Sequence, residues 1–143
     1  ISRIDSLLDP QLPPLLQGKV AIAAARAAYA CLPQLPPLPA GAAPQKLLWA
    51  STSSKNPAYR DVRYVEELIG PGTVNTVPDA TLAAFRDHGE AALTLTRMPE
   101  ETQATLATLA AHGLNLDKVG ETLLAAGVQQ FEEAFGKLLE LVG

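Results

Sequence analysis

The segment LLWASTSSKNPAYRDVRYVEELIGPGTVNTVPDATLAAFRDHG, residues 47–89, contains two short apolar runs, each followed by a helical pattern. The runs Gln45–Ser51 and Thr73–Val77 are predicted strands, because the first is apolar on both faces and the second is rich in β-branched residues. Asn56-Pro57 is predicted to open the first helix, and Pro78-Asp79 the second. Strand and helix therefore alternate, which predicts a parallel sheet.

The residues before this segment predict one more strand and helix. Ile1–Asp5 is interpreted as the tail of a strand, and Lys19–Leu32 has the spacing of a mostly buried helix. Pro33–Pro44 holds five prolines and one glycine, which predicts a stiff connector without a helix. Residues 1–89 are thus expected to form three βα units of an α/β fold.

After Glu90 the pattern is purely helical. Pro99 and two glutamates predict a helix that runs to His112, and Asn115 or Asp117 is expected to cap another. Apolar residues then recur at spacings of three and four as far as Leu139. Residues 90–143 are therefore expected to form a helical extension that packs on the preceding domain.

Composition narrows the classes of function. A chain of 143 residues is long enough for one domain with a real core, and its net charge of -4 argues against a nucleic-acid partner. The single cysteine, Cys31, excludes a disulfide framework and a zinc site built on paired cysteines. The longest apolar stretch, Val20–Ala25, is far too short to cross a membrane, so the chain is expected to be cytoplasmic. It begins with Ile1 instead of methionine, and we expect that an amino-terminal portion is missing.

A loop of hydroxyls and one cation, Ser51–Lys55, follows the first strand of the segment. In α/β proteins the carboxyl ends of parallel strands are where ligands are held. Hydroxyls, free backbone amides and a lysine suit an anion, and we expect a phosphate. Asp87-His88-Gly89, in contrast, is interpreted as a helix end and not as an acid-base pair.

Three motifs of residues 47–89 are similar to motifs of a known protein family. WASTSSKNP (49–57), YVEEL (64–68) and TVNTVP (73–78) resemble, in this order, the W-A-S-T-G-x-K-[ND]-P, Y-V-E-E-L and T-V-N-T-[MV]-P motifs of transaldolases. The resemblance is to the carboxyl-terminal part of transaldolases, in the subfamily that includes fusions with glucose-6-phosphate isomerase. SRID (2–5) and GVQQFEEAFGKLLE (127–140) add weaker support.

The resemblance implies a (β/α)8 TIM barrel, which takes about 250 residues when complete. This chain then corresponds to the carboxyl-terminal three βα units, followed by the terminal helices. The implied reaction belongs to the pentose phosphate pathway and transfers a dihydroxyacetone unit between sugar phosphates through a lysine Schiff base. The substrates are sedoheptulose 7-phosphate, fructose 6-phosphate, glyceraldehyde 3-phosphate and erythrose 4-phosphate; no cofactor and no metal are implied.

The resemblance also implies site residues. Arg3 and Ser51, with Lys55, match the residues that hold the substrate phosphate in the family, whereas Ser53 stands where glycine is usual. No lysine of this chain lies in a buried strand, so no catalytic residue is assigned, and the chain alone is predicted to be inactive. A non-enzymatic α/β interaction or scaffold module stays open as the alternative, as does a fused isomerase domain after Gly143.

Overall fold

The computed structural model describes residues 1–142, which form a helix-rich α/β structure with a small parallel sheet. The helices are α1 (Ser2–Leu8), α2 (Val20–Cys31), α3 (Arg63–Glu66), α4 (Asp79–His88), α5 (Pro99–Ala111) and α6 (Leu116–Val142); the strands are β1 (Leu47–Trp49) and β2 (Thr73–Asn75). Short 3-10 turns, Asp9–Gln11 and Leu32–Gln34, follow α1 and α2. The long helices α2, α4 and α5 form where the sequence predicts them.

The two strands of the described residues are parallel and in simple register. Leu47 is opposite Thr73 and Trp49 is opposite Asn75, so their carboxyl ends lie side by side. Both are shorter than the predicted runs. Leu48 points away from the core and is 55% exposed, so only one face of β1 is covered within this chain.

The predicted strand at Ile1–Asp5 is wrong, because α1 begins at Ser2. Two backbone hydrogen bonds join the start of this segment to the loop after β1: the Ile1 amino group donates to the carbonyl of Ala50 (2.6 Å) and the Ser2 amide donates to that of Ser51 (2.9 Å). Beyond this point the helical conformation is favoured over a strand, because it buries the carboxylate of Asp5, which accepts a hydrogen bond from the Ala21 amide. The described residues thus contain two of the three predicted βα units. The strand of the third unit is not present among them, and the two backbone hydrogen bonds connect its segment to the loop after β1.

The predicted helix at Asn56-Pro57 is also wrong. Residues 56–59 form a turn, in which the Asn56 side chain accepts a hydrogen bond from the Ala58 amide at 2.9 Å, and α3 begins only at Arg63. Asparagine stabilises a turn of this kind as readily as a helix start. The loop after β1 therefore has no helix that begins at Asn56-Pro57 and directs its dipole at it.

The core has two clusters that meet at α2. One joins α2 to β1 and the 64–68 segment through Ala21, Ile22, Trp49, Tyr64, Leu68 and Leu95. The other joins α1 and the following turn to the carboxyl-terminal helices through Leu8, Leu12, Leu16, Val20, Leu109 and Val119. Burying apolar side chains contributes about 1.5–3 kcal/mol for each large residue. Since α2 takes part in both clusters, it is the element that organises the fold.

The apolar face of α6 is largely uncovered. Val119 is buried and Leu123 is partly buried against the second cluster, but the larger apolar side chains that follow are exposed: Leu124, Val128, Phe131, Phe135, Leu138 and Leu139. Phe131 is 81% exposed and Phe135 61% exposed. A contiguous apolar stripe of this kind is rare on a monomer in water and usually contacts other protein.

We expect the isolated 143-residue chain to self-associate, because the α6 face and the edges of the small sheet are open. Light scattering over a range of concentrations should show a mass above that of one chain. The double substitution Phe131→Glu and Phe135→Glu should shift the chain towards monomer, while Glu132→Gln, on the polar side, should not. A monomer at all concentrations would contradict this prediction.

Candidate functional site

The carboxyl ends of β1 and β2 are held together by hydroxyl side chains. The Trp49 carbonyl accepts hydrogen bonds from both the amide (3.0 Å) and the hydroxyl (3.1 Å) of Thr76. The Thr52 hydroxyl, which is fully buried, donates to Oδ1 of Asn75 at 2.8 Å. These bonds are made at the strand ends, so they fix the path of the loop that begins at Ser51.

Ser51 has an unusual backbone conformation. Its φ of 57° lies in the left-handed region, which costs a residue other than glycine about 1–3 kcal/mol, and strained residues of this kind cluster at active sites and ligand-binding loops. Its carbonyl accepts hydrogen bonds from the amide (2.9 Å) and the hydroxyl (2.8 Å) of Ser2, which hold it in place. The Ser51 side chain is half-buried beside this contact.

Arg3 follows Ser2 directly, so it lies at the same end of the strands as Ser51. Its guanidinium is exposed and donates from Nη1 to Oε1 of Gln130 on α6 at 3.1 Å. The structure therefore brings Arg3 and Ser51 onto adjacent backbone segments. No hydrogen bond between their side chains is present among residues 1–142.

Lys55 lies further along the loop. Its ammonium is exposed and donates to the hydroxyl of Ser53 at 2.8 Å. It borders a cavity of about 300 Å³ whose other walls include Ser6, Asp9 and Tyr59, but not Arg3 or Ser51. The structure thus places Lys55 in the same loop as Ser51 without joining it to Arg3. Convergence of the three on one anion stays a prediction.

Two buried aspartates were missed by the reasoning from sequence. Asp5 accepts hydrogen bonds from the Ala21 amide and the Tyr64 hydroxyl, both at 2.8 Å. Asp9 accepts from the Gly18 amide (2.9 Å) and the Tyr59 hydroxyl (2.7 Å). Their spacing of four residues is that of one helix face, but the composition of Ile1–Asp5 favours a strand.

These carboxylates hold structure in place. Ala21 is near the start of α2, where backbone amides lack partners within the helix, and Asp5 supplies one. Burial raises the pKa of the Asp5 carboxyl, and burial together with the hydrogen bond to Asp9 raises the pKa of Tyr59 to about 12. Tyr59 therefore remains a neutral donor across the physiological range. The ring of Tyr59 also packs against Gly18, where a β-carbon would lie 2.8 Å from its Cζ atom.

His88 ends α4, as predicted, and pairs with two carboxylates. Its Nε2 lies 2.8 Å from Asp61 Oδ1 and its Nδ1 lies 3.1 Å from Asp87 Oδ2. These hydrogen bonds raise the pKa of His88, and the bond to Asp61 has the larger effect. The cluster is exposed and ties the end of α4 to the segment before α3. Within residues 1–142 no group of three or more His, Cys, Asp or Glu side chains is placed to hold a metal ion.

Among residues 1–142, no helix combines the length and apolarity needed to span a membrane. The longest, α6, has 27 residues, and acidic and basic side chains recur along it.

Comparison with known proteins gives a consistent result. The family model described as transaldolase/fructose-6-phosphate aldolase matches residues 1–142. The chain is 54% identical to a transaldolase of Neisseria meningitidis serogroup A over 146 aligned residues, which cover 97% of the chain and 42% of that protein. It is 45% identical to a transaldolase of Thiobacillus denitrificans, with 100% of the chain and 44% of that protein covered. It is 41% identical to "Transaldolase 1" of Streptomyces avermitilis, with 99% and 42% covered. The chain thus spans less than half the length of these relatives.

Proposed function

This chain belongs to the transaldolase/fructose-6-phosphate aldolase family, and we propose that it is the carboxyl-terminal part of a transaldolase. In this role it supplies the rim that binds the substrate phosphate. The observation that carries the proposal is the strained Ser51, held by Ser2 next to Arg3 at the carboxyl ends of parallel strands.

The proposal assigns residues 1–89 to the end of a (β/α)8 barrel and residues 90–143 to a helical extension. The bonds from Ile1 and Ser2 to Ala50 and Ser51 support a preceding strand that ends at Ile1 beside β1. In this arrangement β1 and β2 are the last two strands. The exposed Leu48 would then face the rest of the barrel.

The phosphate would be held mainly by charge-assisted hydrogen bonds. The planar guanidinium of Arg3 can donate to two phosphate oxygens at once, and Lys55 adds a point charge. Both side chains would first leave neutral partners, Gln130 and Ser53, which are at the surface. Exchange for phosphate is favourable because a phosphate oxygen carries negative charge, whereas the amide oxygen of Gln130 and the hydroxyl of Ser53 are uncharged acceptors.

The proposed reaction is transfer of a dihydroxyacetone unit between sugar phosphates in the pentose phosphate pathway. Donors and acceptors are those that the resemblance implies: sedoheptulose 7-phosphate, fructose 6-phosphate, glyceraldehyde 3-phosphate and erythrose 4-phosphate. A lysine outside this chain forms the Schiff base, and the enzyme acts in the cytoplasm. Whether a glucose-6-phosphate isomerase domain is fused to it would be decided by the reading frame after Gly143.

Arg3→Ala tests the proposed phosphate site in the whole protein that contains this chain. KM for fructose 6-phosphate should rise about 10- to 100-fold, since the variant loses a charged hydrogen bond to the phosphate. Activity with unphosphorylated dihydroxyacetone should change much less. Both are measured by steady-state kinetics on the same preparation.

Two control variants separate binding from folding. Arg3→Lys keeps the charge and should recover part of the loss, whereas Arg86→Ala, an exposed arginine on α4, should leave both activities unchanged. Equal losses with phosphorylated and unphosphorylated substrates would show that Arg3 supports the fold instead, through Gln130.

One observation favours the alternative of a non-enzymatic interaction module. The uncovered apolar face of α6 would suit a protein partner. An upstream reading frame with further βα units and a lysine in a buried strand would decide for the enzyme, and a start codon close to Ile1 would decide for the module.

A further inference from the structure

We propose a second anion-binding site, separate from the rim, in the cavity between α2, α5 and the 94–98 segment. Its ligand is an oxyanion, the phosphoryl group of a small molecule or free phosphate. The site does not depend on the transaldolase proposal, because Arg3, Ser51 and Lys55 do not line this cavity.

The cavity has a volume of about 320 Å³, which suits a small ligand. Four basic residues line it: Lys19, Arg26, Arg63 and Arg97. Only two carboxylates, Glu67 and Glu101, oppose them. The walls therefore carry an excess of two positive charges, although the chain as a whole has a net charge of -4.

The excess charge comes mainly from Arg97, because the guanidinium of Arg63 also interacts with the buried carboxylate of Asp5. Arg26 pairs with Glu67 at 2.7 Å and Lys19 with Glu101 at 3.4 Å, which accounts for both carboxylates. Neither Arg63 nor Arg97 makes an ion pair within the part of the chain that the structure describes. Arg63 lies over the ring of Tyr59, with its Cζ atom 4.9 Å from the ring centre.

Arg26 provides an independent observation. Its side chain is only 11% exposed, and its Nη2 donates to Glu67 and to the Thr94 carbonyl. Its Nε, however, is buried and has no hydrogen-bond partner among residues 1–142. A buried donor without an acceptor is unfavourable and rare in folded proteins. Because Arg26 lines the cavity, a rotation of its side chain towards the cavity would let an oxyanion oxygen accept from Nε.

These features match the chemistry of a phosphoryl group. Each guanidinium can donate two parallel hydrogen bonds to its oxygens, and the negative charge would offset the excess of positive charge on the cavity walls. The ligand would also bridge α2, α3 and the 94–98 segment. Binding should therefore stabilise the packing of α2 on its neighbours.

The test is an isothermal calorimetric titration of the whole protein with inorganic phosphate. Arg3→Ala is used as the background, so that binding at the rim is weakened. Arg97→Ala, on an exposed side chain, should then weaken phosphate binding by at least about tenfold. Arg97→Lys should recover part of it. The matched control Arg86→Ala, which removes the same charge from α4, should leave it unchanged.

Several outcomes would overturn the proposal. Phosphate binding that is absent in the Arg3→Ala background would show that other parts of the protein occupy the cavity. Equal effects of Arg97→Ala and Arg86→Ala would show only nonspecific attraction. If Arg3→Ala leaves phosphate binding intact while Arg97→Ala removes it, the rim proposal fails and this site stands.

Glycerol 3-phosphate, titrated in parallel, identifies the source of the anion. Tighter Arg97-dependent binding of glycerol 3-phosphate supports a phosphorylated metabolite as the ligand. Equal or weaker binding than inorganic phosphate supports free phosphate, and both results support the site.

Discussion

The 143-residue chain by itself should show no transaldolase activity and should form no imine with a ketose phosphate. All five of its lysines are accessible to solvent: Lys46, Lys55, Lys118 and Lys137 are exposed, and Lys19 lies partly exposed beside Glu101. An imine-forming lysine needs a neutral amine, which proteins usually obtain by burial, and none of these five lysines is buried. The measurement is incubation with fructose 6-phosphate and erythrose 4-phosphate, borohydride reduction, and mass spectrometry of the chain.

The whole protein that contains this chain provides the positive control, and it should give one covalent adduct at a lysine outside residues 1–143. A stoichiometric adduct at Lys55 in the isolated chain would contradict the prediction. Lys55→Gln would then show whether that lysine alone is responsible, and Lys137→Gln, at an exposed position on α6, is the matched control.

Trp49→Ala should lower the free energy of unfolding by about 3–5 kcal/mol, the range for removing a buried aromatic side chain. Trp49 is 4% exposed and packs in the cluster with Tyr64 and Leu68. Its indole N–H also donates to the Leu68 carbonyl at 3.1 Å, so the variant leaves that carbonyl without its donor. Urea denaturation of the chain, carrying Phe131→Glu and Phe135→Glu to limit self-association, would measure the loss.

Leu48→Ala is the matched control, since Leu48 is the preceding residue on the same strand and is 55% exposed. In the isolated chain Leu48→Ala should change the free energy of unfolding by no more than about 0.5 kcal/mol. Trp49→Phe keeps a ring but removes the N–H donor, so its loss of unfolding free energy should lie between those of Trp49→Ala and Leu48→Ala. Similar losses for Trp49→Ala and Leu48→Ala would show that β1 is not packed as described.

The long helices could be predicted from sequence because their determinants are local. α2, α4 and α5 repeat apolar residues at helical spacing, and Pro78 and Pro99 mark starts that the structure confirms. Each helical hydrogen bond joins residues four apart, so a short window of sequence contains both partners. Parallel pairing of the two strands followed from their alternation with helices.

The errors arose where distant partners decide the structure. Ile1–Asp5 has the composition of a strand end, but Asp5 is drawn into the interior by Ala21 and Tyr64, and the segment becomes helix. Asn56-Pro57 has the form of a helix start, but the side chain of Asn56 closes a turn. A local pattern compatible with two conformations is decided by the contacts that only folding provides.

The residue types of the candidate rim, Arg3, Ser51 and Lys55, could be named from sequence, since the loop composition and the family motifs mark them. Their arrangement could not: the left-handed backbone of Ser51 depends on hydrogen bonds from Ser2, and Lys55 borders a different cavity. The cavity with Arg26, Arg63 and Arg97 has no sequence signature at all, because it draws on three separate segments. Sequence by itself determined the family, the helices α2, α4 and α5, and the chemistry available at the loop. Tertiary structure decided which charges share a cavity, because that depends on how α2 packs against its neighbours.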